Sequence, residues 1–235
     1  MNRRDFLGSC TLLSGMASLA HADAGGDAAP MRRYARTLLI DIHGKPIGPN
    51  AIVGETNYVF QYPFAATPCF LLRLAAPVSP VPALRRERGG SYASPAGVGP
   101  ARSVVAFSAI CAHKLAYPTR DVSFIRYQRS RSATSSGKVI HCCADHSVYD
   151  PTAGARVVAG PAPQPLACIA LEHDPTRDEL YALGTIGAEQ FDRFFEQYAM
   201  KLSLEYGGVE RAKAPVADTT VVSELTSYCR NTIEC

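Results

Sequence analysis

His141-Cys142-Cys143-Ala144-Asp145-His146-Ser147-Val148-Tyr149-Asp150-Pro151, taken with Cys111-Ala112-His113 upstream, decides how this chain is read. Two short pairs stand out, Cys111 with His113 and Cys143 with His146. Each supplies one thiolate and one imidazole, so two loops together offer two sulfur and two nitrogen donors. That donor set holds a [2Fe–2S] cluster in which histidines replace two of the four cysteines. An oxidised core carries about +2, so two thiolates and two neutral imidazoles bring the site to about zero. Four thiolates would leave about −2 and make an added electron harder to accept. The mixed set therefore lifts the reduction potential to roughly −150 to +300 mV, against roughly −400 mV for plant-type ferredoxins. Bound imidazoles can also exchange their outer ring proton, which couples electron uptake to proton uptake.

The same two sulfurs and two nitrogens would suit a structural zinc ion. Zinc does not call for the residues that follow, Ser147-Val148-Tyr149-Asp150-Pro151 and then Gly160-Pro161-Ala162-Pro163-Gln164-Pro165-Leu166. Within the second loop the adjacent Cys142 offers an alternative spacing to His146. His141 reads as the end of a strand.

With these flanks the chain resembles the Rieske iron–sulfur family, whose pattern is C-x-H, a spacer, C-x-x-H, an aromatic-Asp-Pro turn and a G-P-A-P loop. The family spacing selects Cys143 over Cys142. The resemblance implies that Cys111 and Cys143 bind the inner iron, and that His113 and His146 bind the outer iron and face solvent. It also implies that Tyr149 donates to a cysteine sulfur and that the Gly160–Leu166 loop shields the cluster from the other side. Ser147 is the candidate donor to a bridging sulfide, although directly after His146 it is equally placed to bond the turn backbone.

Two departures bear on the expected chemistry. Family forms C-T-H-L-G-C and C-P-C-H carry a disulfide between the loops, but Ala116 and Asp145 stand at those positions. The loops should then be held by packing and hydrogen bonds alone. Asp145 also places a carboxylate beside the cluster, which disfavours an added electron. Both changes point to the lower part of the potential range. In addition, the family form H-G-S-x-Y is one residue longer than His146-Ser147-Val148-Tyr149.

The amino terminus reads Asn2-Arg3-Arg4-Asp5-Phe6-Leu7-Gly8, then a modest apolar stretch and Ala20-His21-Ala22-Asp23-Ala24. This looks like a twin-arginine export signal over residues 1–24. That route carries folded proteins, as a cluster assembled in the cytoplasm requires, and it makes the periplasm the expected location. The stretch from Phe6 to Ala20 is interrupted by Ser9, Thr11, Ser14 and Ser18, short of the roughly 20 apolar residues that span a bilayer. Removing residues 1–24 takes away two arginines and two aspartates, so the formal charge stays at +3, too slight for nucleic acid or anionic lipid. Cys10 leaves with the signal; Cys69, Cys142, Cys168, Cys229 and Cys235 remain beside the two ligand cysteines. Cys229 and Cys235 are candidates for a terminal disulfide, and Cys69 and Cys168 for core residues or a second bridge.

Short β-rich runs separated by Gly, Pro and Asp clusters fill the middle of the chain, among them Thr37–Ile42, Tyr58–Phe64, Cys69–Leu74, Ser103–Ile110, Lys138–Cys142 and Leu166–Leu171. They predict an all-β domain over residues 25–187. The resemblance makes this a Rieske-type antiparallel sandwich, with a cluster-binding subdomain inserted at about residues 108–150. Residues Ala76–Ala101 read as a long surface loop. Phe191, Phe194, Phe195, Tyr198, Leu202 and Tyr206 fall at helical spacing, which predicts a helix at the head of a carboxy-terminal helix and tail over residues 188–235. Arg126–Lys138 reads as a solvated hairpin tip or as a basic rim that steers an acidic partner.

The expected function is one-electron transfer in the periplasm, as a carrier or as the small subunit of an oxidoreductase, with no catalytic residue of its own. A redox partner, such as a large catalytic subunit, would dock at the histidine tip. Alternatives are the Rieske subunit of a quinol–cytochrome c oxidoreductase and a zinc-stabilised β-domain acting as a binding module.

Overall fold

The computed structural model describes residues 31–235, so the export signal expected over residues 1–24 lies outside the described residues. Strands in chain order are β1 (Arg32–Ile40), β2 (Tyr58–Gln61), β3 (Pro68–Arg73), β4 (Val81–Arg85), β5 (Ser91–Ser94), β6 (Val104–Ser108), β7 (Val122–Ser123), β8 (Ile125–Gln128), β9 (Val139–Cys142), β10 (Ser147–Asp150), β11 (Arg156–Ala159), β12 (Cys168–Asp174), β13 (Glu179–Ile186), β14 (Thr219–Val221), β15 (Ser223–Glu224) and β16 (Asn231–Thr232). Helices α1 (Phe191–Gln197), α2 (Ala199–Tyr206), α3 (Val209–Ala212) and α4 (Leu225–Tyr228) all lie in the last quarter of the chain. The protein is all-β with short carboxy-terminal helices.

The largest sheet has eight strands in the order β14-β1-β13-β12-β6-β3-β2-β15. Its two edge strands are separated in sequence by Val222 alone. β14 runs parallel to β1, and β15 runs antiparallel to β2. One short segment therefore supplies both edges, bringing the two ends of the sheet together and keeping each edge strand to two or three residues.

Curling gives the strands two buried faces. Cys69 and Leu71 of β3 join one core with Leu39, Phe60, Tyr62, Ile169 and Leu180. Phe70 and Leu72, pointing the other way, join a second core with Val105, Phe107, Ile125, Ile140 and Tyr149. Successive side chains of a strand alternate faces, so a strand buried on both sides is a continuous apolar run. Cys69-Phe70-Leu71-Leu72 is such a run.

The second core is capped by a four-stranded sheet in the order β11-β10-β9-β8, which carries the second Cys-His loop between β9 and β10. A separate hairpin, β4–β5, occupies the segment expected to be a bare loop. Leu84 and Tyr92 are the reason, since both are buried in that core.

The aromatic stripe after residue 188 is helical, but Tyr198 breaks it into α1 and α2. Its buried side is a third core of Phe191, Phe194, Phe195 and Leu202 with Ile110, Leu115 and Tyr117. These last three flank the first Cys-His loop, so the helices serve as its floor. The Tyr117 ring meets Phe194 edge-on at 4.8 Å and Tyr198 at 5.0 Å between centroids.

The hairpin β8–β9 bears the basic segment Arg126–Lys138. Arg129 and Lys138 pair with Glu55, and Arg126 pairs with Glu234 at 2.6 Å. Most of that positive charge is thus matched within the chain.

Phe194 is fully buried. Phe194→Ala is expected to destabilise the fold by about 3–5 kcal/mol in urea denaturation. A loss below about 1 kcal/mol would contradict its place in a packed core.

Candidate metal centre

The first loop leaves the end of β6. The Cys111 N–H donates to Ala116 O at 2.8 Å and the Leu115 N–H donates back to Cys111 O at 3.0 Å. Leu115 adopts a left-handed backbone, φ +56°, to close this turn. From outside, Gln190 Nε2 donates to Ala112 O at 2.8 Å and Gln197 Nε2 to Lys114 O at 3.3 Å.

The second loop turns through hydrogen bonds from the Asp145 and His146 N–H groups to Cys142 O, at 3.3 and 2.7 Å. His146 sits at φ +59°. Gly160 opens the downstream Gly-Pro-Ala-Pro segment at φ +83°, and a Cβ there would fall 2.2 Å from His146 O. Only glycine lets that segment press so closely on the second loop.

Between the loops, the sulfurs of Cys111 and Cys142 and a carboxylate oxygen of Asp145 all lie within 4.8 Å of one another. Asp145 Oδ2 is 2.9 Å from His113 Nδ1 and 3.3 Å from Cys111 Sγ. Both cysteines are fully buried. The His113 side chain is 34% exposed and that of Asp145 only 4%.

The electrostatics favour one of the two sulfurs, that of Cys111, as thiolate. A hydrogen bond from Cys142 draws the Cys111 thiol down to about 7, helped by the Tyr149 hydroxyl and opposed by burial. Its partnership with Cys111, together with burial, pushes Cys142 up. Burial would also raise Asp145, but hydrogen bonding, led by the Ser147 N–H at 2.9 Å, holds its carboxyl below the usual range. The Tyr149 hydroxyl accepts from the Ala112 N–H at 3.0 Å, which leaves its proton to donate to Cys111 Sγ at 3.3 Å. Ser147 Oγ is buried with no hydrogen-bond partner among the described residues.

The structure places Cys143 and His146 elsewhere, which corrects the ligand set expected from spacing. Cys143 forms a disulfide with Cys235, Cα atoms 5.7 Å apart. The physical reason is the alternation of side chains. Cys142 is the last residue of β9 and faces the core, so the next side chain, Cys143, turns to the opposite side. There the tail arrives through β16, paired in parallel with β7. The expected Cys229–Cys235 bridge is corrected as well, since Cys229 is a buried free thiol, as are Cys69 and Cys168. His146 is exposed, its ring 5.6 Å from that of His141. The second loop is therefore not held by packing and hydrogen bonds alone.

Cys142 and Asp145 are the residues that the spacing argument passed over. One signal was available. Counting the H-G-S-x-Y form back from Tyr149 puts Cys142 at the cysteine, Asp145 at the histidine and His146 at the glycine. His146 sits at positive φ, a conformation that glycine adopts at no steric cost.

No protein-family model matches the chain. Among solved structures it is similar to the soluble domain of the Rieske protein II from Sulfolobus acidocaldarius, at 24% sequence identity and a TM-score of 0.47, covering 71% of this chain and 86% of that chain.

Proposed function

We propose that this chain is a one-electron carrier holding a Rieske-type [2Fe–2S] cluster through Cys111, Cys142, His113 and Asp145. The observation that carries the reading is the convergence of two buried sulfurs, one imidazole and one carboxylate from two separately anchored loops. The surroundings fit such a group. Ser147 Oγ is a buried hydroxyl beside Asp145, and Tyr149 donates toward a sulfur that is ready to ionise.

When bound, the cluster would accept and release one electron at a time. The chain's own residues set the terms. Cys111 and Cys142 are sealed in the core, and the side chain of His113 is the most open of the four donors. Asp145 brings a negative charge where a histidine would be neutral, so the site carries about one more negative charge and reduction is less favourable. Tyr149, by donating to Cys111, works in the opposite sense. Electron exchange would take place at the His113 side, where a redox partner, such as a larger catalytic subunit, would dock.

The periplasm and the twin-arginine route belong to the same proposal and rest on the Arg3-Arg4 leader. No helix among the described residues is long and apolar enough to cross a membrane. A zinc ion on the same donors is the competing reading, because two thiolates, an imidazole and a carboxylate also satisfy tetrahedral zinc.

Protein isolated without air should contain iron and acid-labile sulfide in equal amounts; zinc without sulfide would decide for the competing reading. Cys142→Ser should abolish the iron content while Cys143→Ser retains it. The reverse pattern would return the ligand role to Cys143. Tyr149→Phe should keep the iron and lower the reduction potential, because a hydrogen bond to a cluster sulfur favours the reduced state. An unchanged potential in that variant would remove Tyr149 from the site.

A further inference from the structure

Behind the second loop, facing away from Cys111, lies a group of donors that electron transfer does not use. His141 is completely buried, yet both of its ring nitrogens lack a hydrogen-bond partner among the described residues. An imidazole always has at least one N–H to donate and, when neutral, one nitrogen to accept. Burying both unpaired is costly, and a native structure ordinarily satisfies them. A ligand-nitrogen of His141, one of His146 and the Cys235 sulfur all lie within 4.8 Å of one another. Cys143 adds its sulfur through the disulfide to Cys235.

We propose that His141, His146, Cys143 and Cys235 form a zinc site that opens when the Cys143–Cys235 disulfide is reduced. The group supplies two sulfurs and two imidazole nitrogens, the closed donor set of structural zinc. Tetrahedral zinc with sulfur at about 2.3 Å and nitrogen at about 2.0–2.1 Å sets its donors roughly 3.3–3.8 Å apart. The nitrogens therefore close in by at most about 1.5 Å, while the two sulfurs separate from bonding distance. The His146 side chain is exposed and free to adjust, and Cys235 is only half-buried. Their position also gives the ion a way in. His141 is fixed within β9 and acts as the anchored donor.

The chemistry balances with a dithiol as reductant. The dithiol becomes a disulfide, giving two electrons and two protons; the Cys143–Cys235 bond breaks and leaves two thiols. Zinc then binds the two thiolates and the two neutral imidazoles, releasing two protons. While the disulfide stands, its sulfurs carry no charge and the site lacks the anionic donors that zinc needs. The tail is thus fastened to the second loop in either state, by a covalent bond or by the ion.

This inference is independent of the proposed cluster, and the test reads the two metals separately. The full chain with its iron is treated with a dithiol, desalted without air and titrated with Zn²⁺ alone against a chromophoric chelator, followed by analysis of zinc and iron. One zinc per chain should be gained after reduction, none before it, with the iron content unchanged. Cys235→Ser and His146→Ala, both outside the buried core, should each weaken zinc binding by more than the roughly 10–100-fold seen when only an outer-shell partner of a metal ligand is lost. Their iron should be retained. No zinc uptake by the reduced protein with iron retained would overturn this inference alone. Equal uptake before and after reduction, or uptake indifferent to both substitutions, would overturn it too. Loss of iron in His146→Ala would overturn both this site and the ligand set proposed for the cluster.

Discussion

Two buried sulfurs facing each other across a loop boundary are the constraint on which this structure depends. Cys111 and Cys142 are sealed from water, and one of them is poised to ionise. A buried charge without partners is among the costliest things a fold can hold. Tyr149 and the sulfur of Cys142 supply those partners. Neither of them helps unless both loops are kept in place, because the sulfurs arrive from strands of different sheets.

Each loop has its own anchor. The first rests on α1 and α2 through Phe194, Leu202 and Tyr198, with Gln190 and Gln197 holding its carbonyls. The second is pinned through Cys143 to the last residue of the chain. That bridge closes a loop spanning 92 residues. By chain-entropy arguments a cross-link of that reach stabilises by about 4.6 kcal/mol, less any native-state strain. A fold of this size is stable by only about 5–15 kcal/mol in all. The carboxy-terminal segment therefore braces the second loop from the side opposite Cys142. The same segment, at Val222, joins the two edges of the eight-stranded sheet.

Much of this was legible in the sequence. The continuous apolar run at Cys69–Leu72, the alternating β-rich segments and the aromatic stripe from Phe191 to Tyr206 each predicted the element that formed. The hairpin β4–β5 was hidden because Pro, Gly and Arg dominate the segment's composition, and few of its side chains, chiefly Leu84 and Tyr92, reach the core. The two Cys-His pairs lie in the two loops between which Cys111 and Cys142 meet. They misled on which residues meet, since spacing alone does not say on which side of a strand end each cysteine points. At Cys142-Cys143 that difference of one residue exchanges a core thiol for a disulfide. The pairing of Cys143 with Cys235 joins positions far apart in sequence, and local reasoning had favoured the nearer Cys229.

The proposed donor set has Asp145 where a second imidazole was expected, and the consequence of that proposal can be read directly. Protein labelled with ¹⁵N only in histidine, reduced by one electron, would be studied by pulsed electron paramagnetic resonance. One strongly coupled nitrogen is expected, that of His113, and it should persist in His146→Ala. Two strongly coupled nitrogens, one of which disappears in His146→Ala, would contradict the donor set on which this account of the protein rests.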